Sequence, residues 1–168
     1  MGKNKTVLGS KFLVRGCRRW IVFLSLFSLA ACNMSSTFEK NIKIPDYSWD
    51  LNNIIRLNAD IEDTINAHNI YINVRNASGY QFSNLFLFLT TKTPRGETAR
   101  DTVELTLADA HGKWLGNGLG DIWDNRILLK KNFRFPEAGT WHFELQQAMR
   151  INPLPQIMDV GMRIEKSK

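Results

Sequence analysis

In Ile55-Arg56-Leu57-Asn58-Ala59-Asp60-Ile61-Glu62 every odd position is apolar and every even position is polar or charged. A period of two places the apolar set on one face of an extended chain, so the segment reads as a half-buried strand. Ile70, Ile72 and Val74 alternate in the same way with Tyr71, Asn73 and Arg75. So do Val103, Leu105 and Leu107 with Thr102, Glu104 and Thr106, then Trp141, Phe143 and Leu145 with Thr140, His142 and Glu144, and finally Val160, Met162 and Ile164 with Gly161, Arg163 and Glu165. Leu85-Phe86-Leu87-Phe88-Leu89 is apolar at every position and predicts a central strand covered on both faces.

Turn chemistry separates these runs. Asn76-Ala77-Ser78-Gly79, Pro94-Arg95-Gly96 and Pro136-Glu137-Ala138-Gly139 break the pattern where proline presets φ or glycine relaxes it. Residues 84–107 therefore predict a hairpin. The segment 108–126 interrupts the alternation with Gly112, Gly116, Gly118 and Gly120 around Trp114 and Trp123. It predicts one long Gly/Trp-rich loop, of the kind that is often functional. Ile127–Phe135 is expected to open with one helical turn and then extend. The expected fold is all-β, an antiparallel β-sandwich of about seven strands.

The N-terminal part reads as an address. Residues 1–20 carry Lys3, Lys5, Lys11, Arg15, Arg18 and Arg19 and no acid, and the apolar run Trp20–Ala31 follows. A run of about 12 residues is too short to span a bilayer as a helix, which needs about 20. A basic start, a short apolar stretch and small residues before a cut describe a secretory signal. Leu29-Ala30-Ala31-Cys32 adds a lipobox: the Cys32 thiolate takes a diacylglyceryl group, and cleavage before it frees an amine for a further acyl chain such as palmitate. Several chains on one residue anchor a soluble domain stably. The expected organisation is a signal peptide at 1–31, a flexible tether at 32–43 and a sandwich domain at 44–168.

Removing the address changes the composition. The chain has 22 Lys and Arg against 16 Asp and Glu, but the six basic residues above leave with the signal, so residues 32–168 are formally neutral. The basic excess then gives no argument for nucleic acid. Of the two cysteines, Cys17 leaves and Cys32 is lipidated, so the domain folds on its core without a disulfide.

The chemistry-bearing residues form no catalytic constellation, and no enzymatic activity, cofactor or metal is expected. Gly116-Asn117-Gly118-Leu119-Gly120 lacks the spacing and the following helix of a dinucleotide fingerprint, and no Lys-Ser/Thr pair follows it as in a phosphate loop. His68, His111 and His142 lie far apart, without metal-ligand spacing, and read as solvated or core-edge histidines. Asp109, Asn117, Asp121 and Asp124 could offer oxygens to calcium, but short acidic residues are also ordinary caps and turn formers. Trp49, Trp114 and Trp123 are most often packing anchors, and Trp141 reads as core. On a sandwich surface Trp114 and Trp123, with Asp121 beside them, are the candidate contacts for a partner or a glycan.

Ser83-Asn84-Leu85-Phe86-Leu87-Phe88, Gly112-Lys113-Trp114-Leu115-Gly116 with Gly118-Leu119-Gly120-Asp121-Ile122, and Arg134-Phe135-Pro136 with Gly139 resemble the gliding motility lipoprotein GldH family. Gln146-Gln147-Ala148-Met149-Arg150 and Asp159-Val160-Gly161 are similar too, so the resemblance runs from about Ile44 to Ile164. It implies an envelope lipoprotein of Bacteroidetes, required for gliding where gliding occurs, whose lipidated cysteine matches Cys32. It brings no enzymatic residues. The implied partners are the membrane, through lipid on Cys32, and envelope proteins. Surface-exported lipoproteins of that lineage tend to carry an acidic cluster after the cysteine, and Asn33-Met34-Ser35-Ser36-Thr37 has none. The expected location is therefore the outer membrane, with the domain facing the periplasm. The competing reading is a glycan-binding sandwich at the envelope.

Overall fold

A computed structural model describes residues 36–168 and, before them, Gly2. Cys32, the signal segment and residues 32–35 of the expected tether lie outside the described residues.

The described chain is an antiparallel β structure built from eleven strands: β1 (Ser36–Lys43), β2 (Ser48–Trp49), β3 (Ile55–Ile61), β4 (His68–Ala77), β5 (Asn84–Lys92), β6 (Thr98–Thr106), β7 (Asn117–Leu119), β8 (Ile122–Phe133), β9 (Gly139–Gln147), β10 (Leu154–Pro155) and β11 (Ile157–Lys166). They form a five-stranded sheet in the order β1-β11-β4-β8-β7, a four-stranded sheet β3-β9-β5-β6, and a small β10-β2 ladder. The count exceeds the seven expected because β2, β7 and β10 have only two or three residues each, too short to show a period.

Alternation became burial. The odd positions of β3 from Ile55 to Ile61 are buried and the even ones exposed. Ile70, Ile72, Val74, Val160, Met162 and Ile164 from one sheet join Leu57, Leu85, Leu87, Leu105, Phe143 and Leu145 from the other in one core. Each such side chain contributes about 1.5–3 kcal/mol when fully buried. Trp141 is core, as its alternation predicts, and the β5–β6 hairpin pairs Asn84 with Thr106 through to Lys92 with Thr98. The short ladder buries Trp49 opposite Leu154, and the Trp49 indole N–H donates to the Asn53 carbonyl at 2.8 Å.

Four expectations differ from the structure. Residues 36–43 form β1, not tether: Glu39 and Asn41 face outward into polar contacts while Phe38 and Ile42 pack against the core edge. Such an edge strand needs few apolar residues, so it reads as polar. Residues 127–133 continue β8 without a helical turn. The 108–126 segment is a loop only in its first part, since β7 and the start of β8 form a hairpin with Leu119 opposite Ile122. β5 is central, but Phe86 and Phe88 are half-buried on its outer face, with the Arg100 guanidinium 4.4 Å above the Phe88 ring. The Arg100 cation lies over Phe88 on the face that a second layer was expected to cover.

The strand directions give the domain two ends. Ser36 pairs with Glu165, and His68 pairs with both Lys166 and Phe133. This is the Ser36 end. At the opposite end Lys43 pairs with Asp159, and Ala77 pairs with Ile122 beside the β7–β8 turn. The ten residues of β4 separate the two by about 30 Å, at roughly 3.3 Å per residue.

Candidate functional site

The Gly/Trp segment stands at the Ile122 end. Gly116 and Gly118 are required by close approach. A Cβ on Gly118 would meet the Trp123 ring at 2.5 Å, and one on Gly116 would meet the Asp124 carbonyl and the Asn125 amide at 2.7 Å. Gly120, at φ 62°, makes the turn into Asp121. Trp123 and Trp114 stack with centroids 6.3 Å apart at 30°, and Tyr80 lies 6.4 Å from Trp114. The Trp123 indole N–H donates to Ser78 Oγ at 3.0 Å, and the Ser78 amide donates to the Asp121 carbonyl at 2.8 Å. The structure thus brings Trp114, Trp123 and Asp121 together, with both indoles half-buried against glycine, tyrosine and one another. Leu115, Leu119 and Ile122 of the same segment are exposed, Leu119 at 87%.

Asp109 and Asp124 of this segment have separate structural partners. Asp109 accepts the His111 and Lys113 amides at 2.9 Å, and Asp124 accepts from Arg75 at 2.5 Å. Among the described residues no three His, Cys, Asp or Glu side chains gather to hold a metal. His68 is fully buried beside Phe135 at 5.5 Å, with neither ring nitrogen hydrogen-bonded.

A second feature was not legible as a motif. The outer face of the five-stranded sheet holds a polar hollow of about 450 Å³, lined by Glu39, Asn73, Arg75, Asp124, Arg126 and Asp159 among others. Glu39 meets Arg163 and, at 3.5 Å, Arg126. Arg75 bridges Asp124 and Asp159, the latter at 3.2 Å. Burial pushes the Asp159 carboxyl up, with Arg75 opposing and Asp124 reinforcing the shift. The Arg163 guanidinium holds Glu165 below its usual range. Asn73 donates to Glu39 and Asn41 at 3.2 and 3.1 Å, which leaves its own Oδ1 buried without a donor. These residues come from four strands and are ordinary outward positions in each. The one signal in the sequence was Gly161 inside an alternating run, which marks a close backbone approach. A Cβ there would fall against the Lys40 carbonyl and the Asn41 side chain.

No helix of the described residues is long and apolar enough to cross a membrane. No solved structure matches the chain significantly. The profile of the GldH lipoprotein family matches residues 36–164. The gliding motility lipoprotein GldH homolog of Christiangramia forsetii is 33% identical over 156 residues, covering 87% of this chain and 95% of that one. The gliding motility lipoprotein GldH of Flavobacterium johnsoniae is 29% identical over 153 residues, covering 87% and 94%. The match spans all but the last few residues of the eleven-stranded domain, and the chain belongs to the GldH lipoprotein family.

Proposed function

We propose that this protein is a non-enzymatic lipoprotein of the outer membrane, anchored by acyl chains on Cys32, with its domain in the periplasm. There it serves the envelope apparatus of gliding motility. The observation that supports this most is the family match across 36–164, with both relatives named as gliding motility lipoproteins. The lipobox at Cys32 supplies the attachment, and the Gly/Trp hairpin supplies the contact to an envelope protein. Exposed apolar surface is a usual mark of a partner site, and here Leu119 and Ile122 face each other across the hairpin turn with Leu115 exposed in the same segment.

Replacement of the chromosomal copy tests this reading. Wild-type protein is expected in the outer-membrane fraction, with an acylated N-terminal Cys32 by mass spectrometry, protected from protease in intact cells and digested in lysed ones. Cys32→Ala is expected to leave that fraction and to abolish colony spreading in a gliding host. An unmodified Cys32, or spreading that does not depend on the protein, overturns it.

A further inference from the structure

We infer that the Ser36 end of the sandwich rests on an anionic lipid surface, with Ile65 entering the headgroup layer and Lys130, Lys131, Arg134 and Lys168 facing lipid phosphates. This rests on the anchored reading above and adds which end of the domain meets the bilayer.

Covalent reach comes first. Cys32 precedes Ser36 by four residues, which span at most about 14 Å when fully extended. The sheet is about twice that length from end to end. A lipid on Cys32 therefore keeps the Ser36 end within reach of the headgroups, a constraint that the Leu119–Ile122 turn, about 30 Å along the sheet, does not share.

The surface at that end suits the contact. The β3–β4 connection joins the two sheets there and exposes Ile65 at 83%. The loop is built around the Asp63 carboxylate. Asp63 Oδ1 accepts the Ile65 and Asn66 amides at 3.1 and 2.9 Å. Its Oδ2 accepts the Asn66 side-chain amide at 2.8 Å and meets Lys166 Nζ at 2.7 Å. The Asn66 amide first, then Lys166, hold this carboxyl well below the usual carboxylate range. Ile65 is thus presented on a braced loop tied to β11, and at 83% it is far more exposed than Ile122 at 36% or Ile151 at 41%.

Charge complementarity selects the partner. Lys130, Lys131, Arg134 and Lys168 are exposed and have no ion pair among the described residues. The acids near them are mostly taken: Asp63 by Lys166, Glu137 by Arg95 at 2.7 Å and Glu165 by Arg163 at 2.8 Å. Among the described residues Asp60, Glu62 and Glu97 remain without an ion pair against the four free cations, so the end keeps a cationic excess beside a projecting isoleucine. Lysines and arginines near the surface with an apolar side chain inserted are how peripheral segments hold anionic membranes. A second copy placed on this end would set like charges against each other.

The test uses the mature lipidated protein in vesicles. Cys32 is its one native cysteine, and acylation blocks that thiol. Ile65→Cys and Leu119→Cys are labelled singly with an environment-sensitive fluorophore and mixed with phosphatidylcholine vesicles carrying a headgroup-level quencher, with or without phosphatidylglycerol. Flotation is measured in parallel. The probe at 65 is expected to shift blue and to be quenched several-fold more than the probe at 119. That quenching should weaken without phosphatidylglycerol and with the Lys130→Glu, Lys131→Glu pair. Flotation with the probe at 65 quenched no more than that at 119 overturns the proposal and leaves the anchor standing. Quenching that ignores phosphatidylglycerol overturns the anionic assignment. Failure to float overturns the anchored reading and the proposal with it.

Discussion

Gly161 shows how much one residue can carry. β11 is crossed so closely by Lys40 and Asn41 of β1 that any side chain at 161 collides with backbone. Backbone cannot yield as a flexible side chain would. Gly161→Ala is therefore expected to destabilise the domain by about 1–3 kcal/mol, the usual cost of overpacking. Urea denaturation would check it through a lower midpoint at unchanged slope. Asp63 acts by charge. Its folded pKa lies below the unfolded value, so its contribution is present above roughly pH 4 and is lost as pH falls through the unfolded and then the folded value. Asp63→Asn should flatten the acid limb of a stability–pH profile, with little dependence on pH left between about 2 and 5 from this site. An unchanged limb would show that the loop hydrogen bonds do not couple to folding. His68 reads from residue order as solvated or at the core edge, and instead lies at 0% exposure without a hydrogen bond. A buried polar ring without a partner is costly, so His68→Leu is expected to leave stability unchanged or raise it by up to about 1 kcal/mol.

Elements in this chain succeed for different reasons. β3, β4, β9 and β11 declare themselves because burial on one face imposes a period of two on seven to ten residues. β7 has three residues, two of which flank the glycine that receives the Trp123 ring. Its place in the sheet comes from the indole and not from its own propensity. Gly118→Val should push Trp123 off the hairpin, break the indole bond to Ser78 and shift tryptophan fluorescence to the red, while the remote β3–β9 pairing persists in amide exchange. A fluorescence spectrum identical to that of the parent would refute that coupling. β1 is the opposite case, an edge strand held by pairing with β11 and by Glu39 and Asn41 rather than by apolar content.

At the scale of the molecule the proposed reading gives the two ends separate work. Among the described residues, six of the eight exposed large apolar side chains, Tyr47, Leu51, Leu115, Leu119, Ile122 and Ile151, lie at the Ile122 end, opposite the Ser36 end. Core and docking functions should therefore separate cleanly by mutation. Leu119→Asp is expected to leave stability within about 0.5 kcal/mol, as for most surface changes, while reducing capture of envelope partners in crosslinked membranes. Leu87→Ala, at 0% exposure, is expected to cost about 2–5 kcal/mol and to lower the amount of protein rather than its affinity. If Leu119→Asp retains full capture, the hairpin is not the contact.

The alternating runs around Leu57, Ile72 and Leu145, the glycine and proline turns, and the family resemblance were all available from residue order, because burial periodicity and turn chemistry are local. The lipobox is equally local, though it falls outside the described residues. The polar hollow was not legible. Glu39, Asn73, Asp124 and Asp159 are unremarkable on their own strands, and only the order β1-β11-β4-β8 sets them side by side. The same holds for the two ends of the domain. Residue order shows Cys32, Ile65 and Leu119 at three points along a line, whereas strand direction puts the first residue of β1 at the end that carries Ile65 and about 30 Å from Leu119. Pairing between distant strands is a tertiary property, settled by which faces can be buried together, and no local pattern encodes it.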